Sequence, residues 1–238
     1  MGFLADLAAW FVDPANWQGA EGIPHLASQH AWYSVAAVLT AIVIAFPIGL
    51  WVGHTGKGGA TVINIANAGR SIPTFGIILL VVTIASVGFL PLYVALIAFA
   101  IPPILTNTYA GIQEVDPDVR DAAFGMGMRP WEVLTRVELP VAVGLIMTGI
   151  RTATTQTIAT ATLASVVGMG SLGLYITRGI ALYDNVRILA GAVLVAVLAL
   201  GSEALLAGVQ RLITPKGIRR ETGPSAASDA QANHRTKA

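Results

Sequence analysis

The chain has 238 residues, 55% of them hydrophobic and 11% charged, with a formal net charge of +1. A water-soluble domain carries about 25% charged residues, so this chain could not cover its own surface in water; disorder, which requires polarity and charge, is excluded with it, and so is a nucleic-acid binder, for want of a basic excess. With no cysteine, disulfides, thiolate metal sites and cysteine nucleophiles are absent, and the expected class is an all-α polytopic membrane protein.

Residues 1–30 lack the basic start and small-residue cleavage site of a secretory signal, and Asp6 and Asp13 interrupt them. Phe3, Leu4, Leu7, Trp10 and Phe11 share one helical face, so this segment is expected outside the membrane or lying in its interface. From residue 31 to 214 the charges draw the map. None falls between Glu21 and Lys57, Arg70 and Glu114, or Arg151 and Arg178, and a shorter gap separates Arg187 from Glu203. Since a span needs about 20 mostly apolar helical residues, five transmembrane helices are predicted, near 32–53, 60–88, 91–112, 141–166 and 186–210. The second contains Gly69, Ser71 and Pro73, which predicts a kink or two segments. Lys57, then Arg120, Arg129 and Arg136, then Arg211, Lys216, Arg219 and Arg220 all fall on one side of a five-span chain. The positive-inside rule makes that side cytoplasmic, with the N-terminus outside and the C-terminus cytoplasmic. The polar tail, 215–238, is expected to be disordered.

Between the third and fourth spans, residues 113–140 hold six of the thirteen acids. A connector this long is usually functional or disordered, and this one has helix punctuation. Asp116 can cap a helix that begins at Pro117, with Asp118 near its positive end, and Gly125 and Gly127 end it. Pro130 can start a second short helix, with Glu132 in its first turn, running to Glu138 before Leu139-Pro140 enters the membrane. Trp131, Val133, Leu134 and Val137 are apolar on a cytoplasmic segment and need a cover. On periodicity alone, an ordinary helical hairpin explains the stretch equally well.

The spacing is more specific. Asp121-Ala122-Ala123, Gly127 three residues on, then Val137, Leu139 and Pro140 resemble the EAA loop (E-A-A, three residues, G, nine residues, I-x-L-P) of permease subunits of binding-protein-dependent ABC importers, with Asp for Glu and Val for Ile. GMGMRPWEVLTRVELP, GIRTATTQTIATATLASVVGMGSLG and the upstream IPPILTNTYAGIQEVDP are similar to the glycine betaine/choline/carnitine/proline permeases of osmoprotectant importers, over residues 32–215. The resemblance implies a type I ABC importer permease fold with a cytoplasmic coupling-helix loop. It also implies two ATP-binding subunits, a second permease copy or paralogue, an extracellular substrate-binding protein, and a place in the cell membrane. In that family the loop's helix docks into a groove on the ATP-binding subunit and moves as a lever. Asp121, Ala122, Ala123, Gly127, Trp131, Val137, Leu139 and Pro140 are the positions carried over for that contact. A methionine-like amino-acid importer would show the same loop, and an ATP-independent secondary transporter the same hydropathy.

Within the spans, the fourth carries a run of threonines that can each bond the carbonyl one turn back or pack against a neighbouring helix. Gln156 cannot be satisfied so locally, so one stripe, Thr152, Thr155 and Gln156, is assigned to the translocation path, with Asn64 and Asn67 as weaker candidates. Arg70, Arg151 and Glu203 sit about 10–15 Å into the membrane from the same face, by a rise of about 1.5 Å per residue. Glu203 is expected to pair with Arg151 or Arg70; snorkelling arginines, or a role towards substrate, are the alternatives. No cofactor or metal is expected: His25, His30, His54 and His234 are scattered without metal-ligand spacing. The GHTGKGG stretch at 53–59 is not a phosphate-binding loop, so ATP hydrolysis is left to a partner.

Overall fold

The computed structural model describes residues 2–70, 73–85 and 88–214. The expectations for Ser71, for the tail 215–238 and for the side chains of Asn67 and Arg70 lie outside the described residues. Among those residues every regular element is helical: α1 Phe3–Val12, α2 Ile23–Thr55, α3 Gly59–Arg70, α4 Thr74–Ala85, α5 Phe89–Gln113, α6 Pro117–Gly125, α7 Pro130–Val133, α8 Leu139–Thr160, α9 Gly173–Leu182 and α10 Asn185–Ile213. A wide π turn, Leu134–Glu138, joins α7 to α8, and a 3-10 segment, Ala161–Val167, continues α8.

The packing is that of a lipid-soluble protein. Along α2, Ala37, Ala41, Ala45, Gly49 and Gly53 recur every fourth residue and are all buried, while Trp32, Val35, Leu39, Val43 and Trp51 face outwards. Small residues inside and large apolar ones outside is the pattern of helices that approach closely in a medium as apolar as themselves. The stripe lies on α5: a Cβ on Gly49 would stand 2.8 Å from Thr108 Cβ, and one on Gly53 2.7 Å from Ile112 Cβ. Higher up, Ala37 shares a cluster with Leu92 and Leu96, and Ala41 and Ala45 share one with Ala100 and Ile104. Residue numbers rise together along this contact, so α2 and α5 run parallel.

That register settles how the second expected span behaves. Four described helices are long and apolar enough to cross a membrane: Ile23–Thr55, Phe89–Gln113, Pro130–Val167 and Asn185–Ile213. α3 and α4, each of 12 residues, are too short to cross alone. Yet a chain that leaves the end of one parallel helix and enters the start of the other must travel the whole length between them. The two short helices therefore supply the return in two segments, divided before α4, whose first turn is opened by Pro73 accepting from Ile77 N–H at 3.1 Å.

The remaining helices alternate. α8 is antiparallel to α5: Gly111 abuts Ala142, and a Cβ on Gly149 would sit 2.7 Å from Asn107 Cβ. α10 is antiparallel to α8, with Arg151 against Glu203 and Gln210 Nε2 donating to the Gly144 carbonyl at 3.0 Å. One end of the bundle thus gathers the end of α2, the loop 113–140 and the end of α10; we call it the loop end. At the far end α1 packs through Trp10, edge-on to Tyr175 at 5.2 Å. Tyr175 donates its hydroxyl to the Glu21 carbonyl at 2.7 Å, and Arg178 grips the Glu21 carboxylate through both Nη atoms, Nη2 at 2.6 Å.

One expectation needs correction. The second loop helix does not end at Glu138 before the membrane: α7, the wide turn and α8 form one unbroken helix, Pro130–Val167, of 38 residues. Pro140 lacks an amide proton and in an ordinary α-helix would press on the carbonyl four residues back. The wide turn, where Leu139 N–H reaches the Leu134 carbonyl, displaces that carbonyl, so the chain enters the membrane without a break.

Candidate functional site

The loop end is built as its punctuation requires. Asp116 Oδ1 accepts from Asp118 N–H at 2.9 Å, and Pro117 opens α6. The helix closes with Gly127 N–H donating to Phe124 O at 2.9 Å and Met128 N–H to Ala123 O at 3.2 Å, around a left-handed Gly127, φ +85°. Only glycine takes that conformation without strain. Arg129 N–H then donates to Glu132 Oε2 at 2.9 Å, satisfying an amide at the start of α7.

The carried-over positions divide by exposure. Ala123 is buried, Val137, Leu139 and Pro140 half-buried, and Asp121, Ala122 and Gly127 exposed; Val133, expected to need a cover, is buried within the chain itself. Trp131 is not tucked under the chain: it is 71% exposed, as are, to varying degrees, Val119, Phe124 and Met126. Val119, Ala122 and Met126 recur at i, i+3 and i+7 on the outer surface, whereas Arg120 and Ala123 turn inwards. An apolar outer face on a rigid, capped helix is a surface without its cover. Phe124 and Met126 escaped the sequence reading because no periodic apolar run marks so short a helix.

Beneath it lies a cluster that the sequence reading missed. Glu138, in the wide turn, is fully buried. His54 Nδ1, from the last turn of α2, donates to its Oε2 at 2.7 Å. Arg120 Nε, from α6, lies 2.7 Å from its Oε1, an ion pair whose N–H is not aimed at the oxygen, while Arg120 Nη2 donates to the Ile112 carbonyl at 3.1 Å. Gln113 Nε2 adds a bond to the Gly53 carbonyl at 2.7 Å. His54, one of the histidines without metal-ligand spacing, enters the cluster as the hydrogen-bonding partner of a carboxylate. The available signal was Glu138 itself, a carboxylate in a run entering the membrane, which demands a cationic partner.

The polar stripe of α8 faces α10. One cavity of about 600 Å³ is lined by Glu114, Gly144, Thr148, Arg151, Gln210 and Arg211 among others. A second, of about 390 Å³, is lined by Thr148, Arg151, Thr152, Thr155, Gln156 and Glu203 with Ala199 and Leu200. Sharing Thr148 and Arg151, they adjoin along one seam. Arg151 Nε donates to Glu203 Oε1 at 3.0 Å and its Nη1 to Gln210 Oε1. Thr154 and Thr148 bond carbonyls one turn back, at 2.8 and 3.0 Å, whereas Gln156 stands half-buried against the seam. Asn64 is not brought to it: it is exposed on α3, and lines neither cavity.

Comparison with known proteins covers the same region. Residues 41–216 match the family model described as binding-protein-dependent transport system inner membrane component. The chain is 39% identical over 191 residues, 80% of this chain and 88% of the relative, to the glycine betaine/carnitine/choline transport system permease protein OpuCB of Bacillus subtilis (strain 168). It is 40% identical to the choline transport system permease protein OpuBB of the same organism, over 81% of this chain and 88% of that one. To the osmoprotectant import permease protein OsmW of Salmonella typhimurium it is 36% identical, over 82% and 93%. Among solved structures, an inward-facing MetNI methionine ABC transporter superposes with a TM-score of 0.72 at 21% identity, covering 85% of this chain and 99% of that one. At that identity the likeness is one of fold.

Proposed function

The chain belongs to the binding-protein-dependent transport system inner membrane components, and from that premise we propose that it is the permease of an ATP-driven importer of osmoprotectants such as glycine betaine, choline, carnitine or proline. The observation that carries the reading is the 39% identity, over four-fifths of the chain, to a permease named for glycine betaine, carnitine and choline. A methionine-like substrate rests only on a fold neighbour at 21% identity.

In this reading the loop end is cytoplasmic. Lys57, Arg120, Arg129, Arg136 and Arg211 lie there, against Arg178 and Arg187 at the far end among the described residues, which is the asymmetry that orients short-looped membrane proteins. The uncovered face of Val119, Ala122, Met126 and Trp131 then meets an ATP-binding subunit. Gly127 lets α6 turn away without a side chain in the contact, and Asp121 offers it a charge. The α8–α10 seam, with Thr152, Thr155 and Gln156, contributes half of a polar path, a second permease copy or paralogue supplying the rest. An extracellular binding protein delivers solute to the far end, and two ATP-binding subunits drive the alternation. Solute crosses because its affinity differs between outward- and inward-open states; the ion pair Arg151–Glu203 ties α8 to α10 across both.

The test is reconstitution of the permease with its ATP-binding subunit and binding protein in proteoliposomes. ATP-dependent uptake of labelled glycine betaine, suppressed by excess choline or carnitine and not by methionine, is expected. Suppression by methionine alone would move the chain to the amino-acid importers, and uptake without ATP or partners would remove it from this class.

A further inference from the structure

The cluster around Glu138 touches neither the outer face of α6 nor the polar seam, and the proposed path and docking surface leave it without a task. Its composition is costly. A carboxylate withdrawn from water is tolerated only with oppositely charged or hydrogen-bonding partners, and here the partners come from different elements. His54 belongs to α2, Arg120 to α6, and Glu138 to the wide turn that begins the span of α8. Arg120 also holds the last turn of α5 through the Ile112 carbonyl, and Gln113 of α5 holds α2 through the Gly53 carbonyl. All of these contacts lie within one layer at the loop end, directly behind α6.

We propose that Glu138 is a positioning residue which, through His54 and Arg120, braces α6 to α2 and to the start of α8, so that a displacement of α6 moves both helices together. The proposal rests on the importer reading and adds the means by which motion passes from loop to bundle. Apolar side chains can slide over one another at little cost, whereas a buried carboxylate cannot shed a cationic partner without exposing an uncompensated charge. The brace therefore transmits displacement where packing alone would absorb it. α2 in turn carries α5, since the Gly49 and Gly53 contacts leave no slack between the two helices. Coupling through such a contiguous element is a physical claim only if both ends respond when it is cut.

The experiment uses the reconstituted complex of permease, ATP-binding subunit and binding protein, and reads ATP hydrolysed per labelled glycine betaine imported. E138Q keeps the shape and removes the charge. Expected is a rise in that ratio of about tenfold, the scale of an ordinary coupling energy, with hydrolysis per assembled complex near the parental level. If E138Q fails to assemble, H54A and H54Q decide. H54A opens one arm, leaving Glu138 its arginine, and should raise the ratio; H54Q can still donate to the carboxylate and should restore it. A purely structural role would lower uptake and hydrolysis together, in proportion to the complex recovered, and would leave the ratio parental. A parental ratio in E138Q, or in H54A where E138Q does not assemble, overturns the inference while the importer reading stands. Absence of ATP-dependent uptake in the parent complex overturns both.

Discussion

At Gly53 the inside-out packing can be probed with one side chain. A valine there would drive its branched carbons into Ile112, whose Cβ lies 2.7 Å from where the new Cβ would be. Overpacking of this kind costs about 1–3 kcal/mol, so G53V should lower the midpoint of thermal unfolding in detergent and the yield of folded protein. Gly208, in α10, has open space around it; G208A should stabilise by about 0.5–1 kcal/mol through helix propensity alone. Deeper in the bundle, Arg151 and Glu203 form one unit. R151Q and E203Q should each cost stability, and the double variant less than their sum, by an interaction energy of about 0.5–3 kcal/mol in a thermal-unfolding cycle. Additivity would show that the two side chains do not depend on each other. The sequence offered Glu203 either Arg151 or Arg70 as a partner, because each charge stood isolated in an apolar run. The contact between His54 and Glu138 was not legible, because their approach depends on α2 and α8 meeting in space, across 84 positions of chain.

Among the elements, α6 owes its start to one cap. Asp116 accepts the Asp118 amide at 2.9 Å, and D116A should loosen the helix by about 1 kcal/mol, read as faster hydrogen exchange across Pro117–Gly125. The loop's punctuation was plain in the sequence because caps, prolines and glycines act locally. The continuity of α7 with α8 was not, because proline ordinarily breaks a helix, and only a wide turn immediately before Pro140 accommodates it. α1 offers a pH test at the far end. The Arg178 guanidinium bonded to Glu21 holds that carboxyl below its ordinary range, against a weaker opposing effect of burial. A group whose pKa is depressed on folding adds stability above its unfolded value and loses it as pH falls through the folded one. The contact at Glu21 should therefore hold at neutral pH and loosen only in acid, below the ordinary carboxylate range, while the packing of Trp10 on Tyr175 keeps α1 seated. Amide exchange around Glu21 in parent and E21Q checks this: E21Q should look at neutral pH as the parent does in acid, with a modest increase in exchange.

For the molecule as a whole, the five-span count was readable from charge spacing, since the bilayer imposes a length that any crossing must meet. The glycine, serine and proline at 69, 71 and 73 left a kink or two segments open for the second crossing, which is made by two helices of 12 residues; what no local signal could give was that α5 is the hub against which α2, α3, α4 and α8 all pack. Of the loop's outer face the sequence marked Trp131 but not Val119, Phe124 or Met126, because exposed apolar residues are recognisable as a surface only once the chain has folded around them. That face carries the assembly prediction. W131A removes an indole that is 71% exposed, so the permease itself should fold unchanged, with parental thermal unfolding. Co-purification with the ATP-binding subunit should weaken by about 2 kcal/mol, as for a buried aromatic anchor. Undiminished co-purification would place the docking surface elsewhere.

The wide turn at Leu134–Glu138 has a geometric result reaching beyond its own residues. Successive residues of an α-helix advance by about 100° of azimuth, so one additional residue in a turn rotates everything on one side relative to the other. The turn therefore acts as a phase adjuster in a helix 38 residues long, fixing the bearing of Trp131 relative to Gln156. Were those five residues wound as ordinary α-helix instead, every side chain's chemistry would be kept and the indole would swing about a quarter of a circle away from the direction in which the loop now presents it.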